Sequence, residues 1–239
     1  MKTLKSILLT ALVLISVQSF AYNKKIKGNG NLVNKQRTTE SYDQISVGGS
    51  FDVELVKGKE GNITYSIESN LEEYLVLEVK GGKLKIGWEK GYNIRTTKKI
   101  KMTVPFEDID EVSLAGSGDI KSLDTIESDN LELNLAGSGD MNIDVKTTSL
   151  EGNIAGSGTI SINGSSDNLE ANIAGSGDVR AYGLVVVEHA ETNISGSGSI
   201  ETTVNGKLQA RISGSGDVRY KGKPKTDVKI SGSGSVSMQ

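Results

Sequence analysis

Acidic and amide side chains recur in this chain at a fixed place. Five residues before the first glycine of each Gly-Ser-Gly tripeptide stand Glu111, Glu132, Glu151, Glu170 and Glu191, then Gln209 and Asp227. Two residues further on stand Ser113, Asn134, Asn153, Asn172 and Asn193, then Arg211 and Lys229. Parallel rows of carboxylates and amides could hold divalent cations, a basic partner or a polyhydroxylated glycan. The plainer reading is a solvated edge that keeps strands from aggregating. Four of the tripeptides are followed by an acid, Asp119, Asp140, Asp178 or Asp217, which invites a calcium-loop reading. Thr159, Ser199 and Ser235 interrupt that series, and the nine-residue period of calcium-binding repeats is missing. Turn-forming Asx residues explain the acids more simply. Calcium is therefore the one candidate cofactor, and no resident cofactor is expected.

Other chemistries find few residues to carry them. The chain has no Cys and one His, which excludes disulfides, thiolate metal sites, thiol nucleophiles and multi-His metal centres. The single imidazole, His189, stands in Val187-Glu188-His189-Ala190 with no recognisable nucleophile to serve. Gly-Ser-Gly does not read as a phosphate loop. Such a loop opens a helix or precedes Lys-Ser/Thr, and here a strand follows every copy. The glycines read as tight corners. Trp88 could stack on a sugar ring, but covering a joint within the fold is the simpler role. No catalytic and no metal-binding residue is assigned, and the chain is not expected to be an enzyme.

The elements that position these rows follow from the repeat. Gly-Ser-Gly begins at Gly116, Gly137, Gly156, Gly175, Gly196, Gly214 and Gly232. The spacing is near 19 residues, which marks a repeat architecture. Two residues before each first glycine lies Leu or Ile, from Leu114 to Ile230. Two residues after each second glycine lies Ile, Val or Met. Leu131, Leu133 and Leu135 alternate with Glu132 and Asn134, a period of two that means strand. Identical residues at identical places favour a solenoid over a meander of hairpins, because each position then stacks on its own copy one coil away. The expected fold is all-β: a parallel β-solenoid over residues 109–239 with about 19 residues per coil. Beside each corner, Ala115, Ala136, Ala155 and Ala174 give way to Ser195, Ser213 and Ser231, which would leave that outer face flat. The candidate partner-binding face is therefore Glu111, Glu132, Asn134, Glu151, Asn153, Glu170, Asn172, Glu191 and Asn193.

Residues 42–108 lack the tripeptide but stay β-rich. Strands are expected at Phe51–Val56, Ile63–Ile67, Leu75–Val79, Leu84–Ile86 and Ile100–Val104, with a short helix over Asn70–Tyr74. Val47–Val53 reads as a degenerate copy of the later repeat. This part is expected to cap the solenoid, since a repeat stack needs its end covered. Residues 22–41 read as a polar tail. Ahead of them, Lys2 and Lys5, the apolar run Ile7–Val17 and the small residues Ser19 and Ala21 read as a signal peptide over residues 1–21. Export to the periplasm, the cell surface or the medium follows. No later apolar run is long enough to span a membrane. Residues 111–201 hold only Lys121, Lys146 and Arg180 against fifteen acids, which excludes nucleic acid as a partner of that region.

Tyr42-Asp43-Gln44-Ile45, Gly49–Leu55, Lys83-Leu84-Lys85-Ile86 and the Gly-Ser-Gly-Asp run together resemble the auto-transporter adhesin head GIN domain family. The match covers roughly residues 42–235, so residues 42–239 read as a single domain of this kind. The resemblance implies an exported β-helix-like domain, and the family's name points to adhesion. Unlike an autotransporter, the chain shows no C-terminal run of alternating membrane-barrel strands. The expected function is an exported, non-enzymatic, adhesin-like interaction module. Its partner would be a glycan, an envelope protein or a divalent cation, bound on the acidic and Asn-rich face. Two alternatives remain. One is a pectinase-like, polysaccharide-active β-helix enzyme, which would need acids paired with Lys or Arg in a cleft. The other is a structural spacer of the envelope.

Overall fold

The repeat strands lie parallel to their own copies. The computed structural model describes residues 24–239, so the expected signal peptide lies outside the described residues. Nine strands build the N-terminal part: β1 (Lys24–Lys27), β2 (Leu32–Thr38), β3 (Gln44–Gly49), β4 (Phe51–Lys57), β5 (Asn62–Glu68), β6 (Leu75–Lys80), β7 (Lys83–Trp88), β8 (Tyr92–Arg95) and β9 (Ile100–Phe106). β5 runs antiparallel to both β2 and β9, and β6 runs antiparallel to β7. These antiparallel pieces break the one-coil repeat; they pair onto β7 and β9, which run parallel to β3 and β4. The helix expected over residues 70–74 is a single 3-10 turn, Glu72–Tyr74.

The segment read as a polar tail carries two strands. β1 pairs with β8, and β2 pairs with β5 along its whole length. Backbone pairing organises these residues, and only Ile26 and Val33 lean on the core. A buried carboxylate also holds the loop between the two strands. Glu68 is wholly buried and accepts from Gly30 N (2.6 Å), Thr97 N (2.8 Å) and Thr97 Oγ1 (2.6 Å). Burial by itself works against its charge. The donors from Thr97, Gly30 and Lys98 outweigh that and hold the carboxyl below its ordinary range.

Eleven further strands form the solenoid: β10 (Glu111–Gly116), β11 (Asp119–Ser122), β12 (Ile126–Gly137), β13 (Asp140–Gly156), β14 (Thr159–Gly175), β15 (Asp178–Gly196), β16 (Ser199–Val204), β17 (Lys207–Gly214), β18 (Asp217–Lys221), β19 (Lys225–Gly232) and β20 (Ser235–Met238). They stack in about seven turns. Register is kept position by position: Ile154 pairs with Ile173, Ile173 with Ile194, and Ile194 with Ile212. These side chains form one continuous buried ladder. Where the spacing stretches, the ladder absorbs it in irregularities between Ser161 and Asn163 and between Ala181 and Val185. The degenerate copy is itself part of the stack. β3 pairs with β10 and β4 with β11, which sets Gly49 against Gly116 and Asp52 against Asp119. Parallel stacking therefore starts well before residue 109.

The corners explain the tripeptide. Gly137 sits at φ 123°, where side chains are strained. A Cβ there would also overlap the carbonyl oxygen of Gly116. That oxygen accepts from Ser138 N (3.0 Å) and Gly139 N (3.1 Å) of the next coil. Backbone thus packs directly on backbone at each corner, and only glycine leaves the room.

Candidate binding face

The face chosen from sequence is assembled as one surface. Glu111, Glu132, Glu151, Glu170 and Glu191 are in register on successive coils, and so are Ser113, Asn134, Asn153, Asn172 and Asn193. Both rows point outward. Glu170 is exposed, and the remaining members are half-buried because they lean on one another. The Asn side chains form a ladder along the axis. Asn153 Nδ2 donates to Asn134 Oδ1 (3.1 Å), Asn172 to Asn153 (3.0 Å) and Asn193 to Asn172 (2.9 Å). The second amide hydrogen goes sideways to the Glu of the same coil, at 2.8 Å for Asn134 to Glu132 and for Asn153 to Glu151, and 3.1 Å for Asn172 to Glu170. Each central Asn therefore spends both its donors and its carbonyl inside the face.

The two ends of the Glu row meet cations. Lys83 donates to both oxygens of Glu111 at 2.9 and 2.7 Å. Desolvation opposes the charge on Glu111, but Lys83 and Ser113 hold its carboxyl below the ordinary range. Arg211 pairs with Glu191 at the other end. Along its length the acidic row is therefore engaged by amides or cations. Among the described residues, no cluster of three or more His, Asp or Glu side chains is arranged to hold a metal.

The Asp residues after the corners have a structural task. Asp178 Oδ1 accepts from Ser199 N (3.2 Å) and Ser199 Oγ (2.6 Å) on the next coil. Asp217 does the same with Ser235, at 3.1 and 2.6 Å, and Asp140 accepts from Thr159 N at 3.1 Å. The Ser and Thr residues that break the acidic series are the donors its members need.

Beside the Asn ladder runs a groove of about 930 Å³. Its floor is the column from Ala115 to Ser231, whose residues are exposed, with the edges of Leu114, Leu135, Ile154, Ile173, Ile194 and Ile212 beneath. One wall is the Asn ladder, continued by Arg211 and Lys229. The sequence marks the small column but neither the concavity nor the amide ladder. The signal for both was the pairing of small residues with Asn at a separation of two. His189 lies outside this groove. It is half-buried on β15, in register with Asn168 and Lys207. Trp88 packs on Phe51 with ring centroids 5.0 Å apart and lies against Gly49, at the junction of β7 with the first coils.

A solenoid with one continuous face and a β-rich cap defines the class: a repeat-built β-helix-like domain. The family model described as "Putative auto-transporter adhesin, head GIN domain" matches residues 41–224. The chain belongs to that family. Solved structures share the fold. One, described as a putative adhesin from Bacteroides fragilis, superposes with a TM-score of 0.84 at 21% identity, covering 90% of this chain and 100% of that one. Another, described as a putative lipid binding protein from Parabacteroides distasonis, gives 0.76 at 32% identity over 90% and 100%. A third, a putative adhesin from Parabacteroides merdae, gives 0.70 at 25% identity over 90% and 99%. No curated protein matches the chain. Among the described residues, no helix is long and apolar enough to cross a membrane.

Proposed function

We propose that this chain is an exported, non-enzymatic, adhesin-like binding module that works through the face of the Asn ladder and the adjoining groove. The observation that carries this reading is the uninterrupted register of that face: an exposed small-residue floor beside an amide row whose hydrogen bonds are already made. Such a surface is rigid before any ligand arrives, so little ordering cost attends binding. Membership of an adhesin-named family supports the assignment and supports export. The description of the Parabacteroides distasonis relative adds lipids to the glycans and envelope proteins considered from sequence. The acidic row weighs against cation binding, since its members are bonded to amides or cations.

The test compares the parent chain with Ala155→Glu and Ala174→Lys, which place bulky charge on the floor where side chains are exposed. Binding to immobilised glycans, envelope components and lipid vesicles is measured by surface plasmon resonance. Loss of a parent interaction in both folded variants supports the face. Binding untouched by either variant removes it. Turnover of any polysaccharide by the parent, read by reducing-sugar release, replaces this reading with the enzyme.

A further inference from the structure

The groove has two chemically different ends. From Ala115 to Ala174 its floor is methyl groups and its wall is Ser and Asn. From Ser195 to Ser231 the floor becomes hydroxyl, and after Asn193 the wall becomes Arg211 and Lys229. Arg211 pairs with Glu191 through Nη1 alone, which leaves its other N–H donors unspent. Lys229 has no carboxylate within ion-pair distance among the described residues, although Asp227 stands two residues before it on the same strand. Ile230, at 43% exposure, lines the same end.

We propose that this groove takes a fatty acid of about twelve carbons, with its carboxylate at Arg211 and Lys229 and its alkyl chain running past Ser195 onto the Ala strip at Ala174 and Ala155. The proposal rests on the reading of this face as the binding face and names its ligand. Three observations support it. The central Asn amides have no free donor, so a polyhydroxylated ligand would find no N–H there without breaking the ladder. An alkyl chain asks nothing of those amides and covers exposed methyls. The polar change runs along the axis, so the ligand must be polar at one end only, and the uncommitted cation sets the sign of that end. The lengths also agree. From the coil of Arg211 to that of Ala155 is three coil steps, roughly 14 Å at about 4.8 Å per step. One leaflet of acyl chains fills about half of a ~30 Å hydrocarbon core.

The experiment measures displacement of a fluorescent fatty-acid probe from residues 22–239 by dodecanoate and by dodecanol. Dodecanoate should bind about 3–10-fold more tightly, as one or two partly exposed ion pairs allow. Arg211→Gln with Lys229→Gln should bring dodecanoate to the level of dodecanol and leave dodecanol unchanged. Because Arg211→Gln also frees Glu191, Lys229→Gln alone serves as the second variant and should lose at least half of the preference on a logarithmic scale. Ala155→Glu should weaken both ligands more than tenfold with an unchanged circular dichroism spectrum. If that variant does not fold, Ala174→Lys takes its place. Failure of the parent to bind either ligand overturns the proposal, as does equal binding of the two. Binding to anionic phospholipid vesicles without binding to monomeric dodecanoate overturns it in favour of a membrane surface. If dodecanoate fails while a glycan or envelope interaction is lost in Ala155→Glu, the fatty acid falls and the face stands. If Ala155→Glu alters no interaction at all, both fall.

Discussion

Replacing Asn153 by Asp tests the amide ladder at its centre. Asn153 donates at 3.1 Å to Asn134 and at 2.8 Å to Glu151, and accepts at 3.0 Å from Asn172. Asn153→Ala removes three half-buried bonds. Each contributes about 0.5–1.5 kcal/mol net, and water replaces part of the loss, so the expected cost is ~2 kcal/mol. Asn153→Asp keeps the bond from Asn172 but turns both donors into acceptors facing other acceptors. It also sets a carboxylate beside Glu151. Two unit charges ~5 Å apart repel by about 0.8 kcal/mol in water and about 3 kcal/mol at an effective dielectric of 20. Asn153→Asp should therefore cost ~3–4 kcal/mol at low salt and about 1 kcal/mol less at high salt, where exposed charge is screened. Urea denaturation with a constant m-value measures the difference. Adding Glu151→Gln should recover most of the loss, because the Gln amide can donate to the new carboxylate. The reasoning fails if Asn153→Asp is as stable as Asn153→Ala at low salt, or if salt leaves their difference unchanged.

Ile173, 3% exposed, should cost ~2–5 kcal/mol on replacement by Ala, read by the same denaturation; a cost near zero would contradict the buried ladder. Gly137→Ala meets both a positive φ and the Gly116 carbonyl and should lose at least ~2 kcal/mol, while Ser138→Ala on the exposed rim of the same corner should change stability by no more than about 0.5 kcal/mol. Glu68→Gln should cost ~1–3 kcal/mol at neutral pH by leaving buried donors poorly matched. Because the folded-state pKa of Glu68 is depressed, its contribution is complete above the unfolded value of about 4.3 and is lost as pH falls through the lower folded value. The stability gap between parent and variant should therefore close in acid; a gap that widens there would reverse the assignment. His189→Ala should leave every measured interaction intact, checked on the same binding panel.

How much of this was legible follows from how neighbours are made. In a parallel stack, the spatial neighbour of Glu151 is Glu170, and that of Asn153 is Asn172. The columns could therefore be read directly off the repeat. The cap is not built that way. β2 meets β5 antiparallel, so Lys35 faces Tyr65 with no recurrence to announce it. Glu68 looks like any strand-end acid, because its donors Gly30 and Thr97 lie about 30–40 residues away in loops without a motif. The acids after the corners show a subtler limit. As a list, Asp119, Asp140, Thr159, Asp178, Ser199, Asp217 and Ser235 look like an acidic column spoiled by substitutions. Stacking makes the exceptions informative. An unbroken column would set carboxylate on carboxylate at every step. A hydroxyl on the coil after Asp178 or Asp217 instead gives that acid an O–H donor beside the backbone N–H. Asp119 is followed by Asp140 rather than a donor, and its cation, Lys99, stands 3.9 Å away, whereas Asp178 and Asp217 have both a hydroxyl donor and an arginine, Arg180 or Arg219, at 3.4 Å. Alternation of acceptor and donor down a column is thus a readable sign that the column serves the stack. The exposed column from Ala115 to Ala174 has no side-chain donor or acceptor to give the stack, so its methyls, unlike the amides beside them, take no part in that bonding.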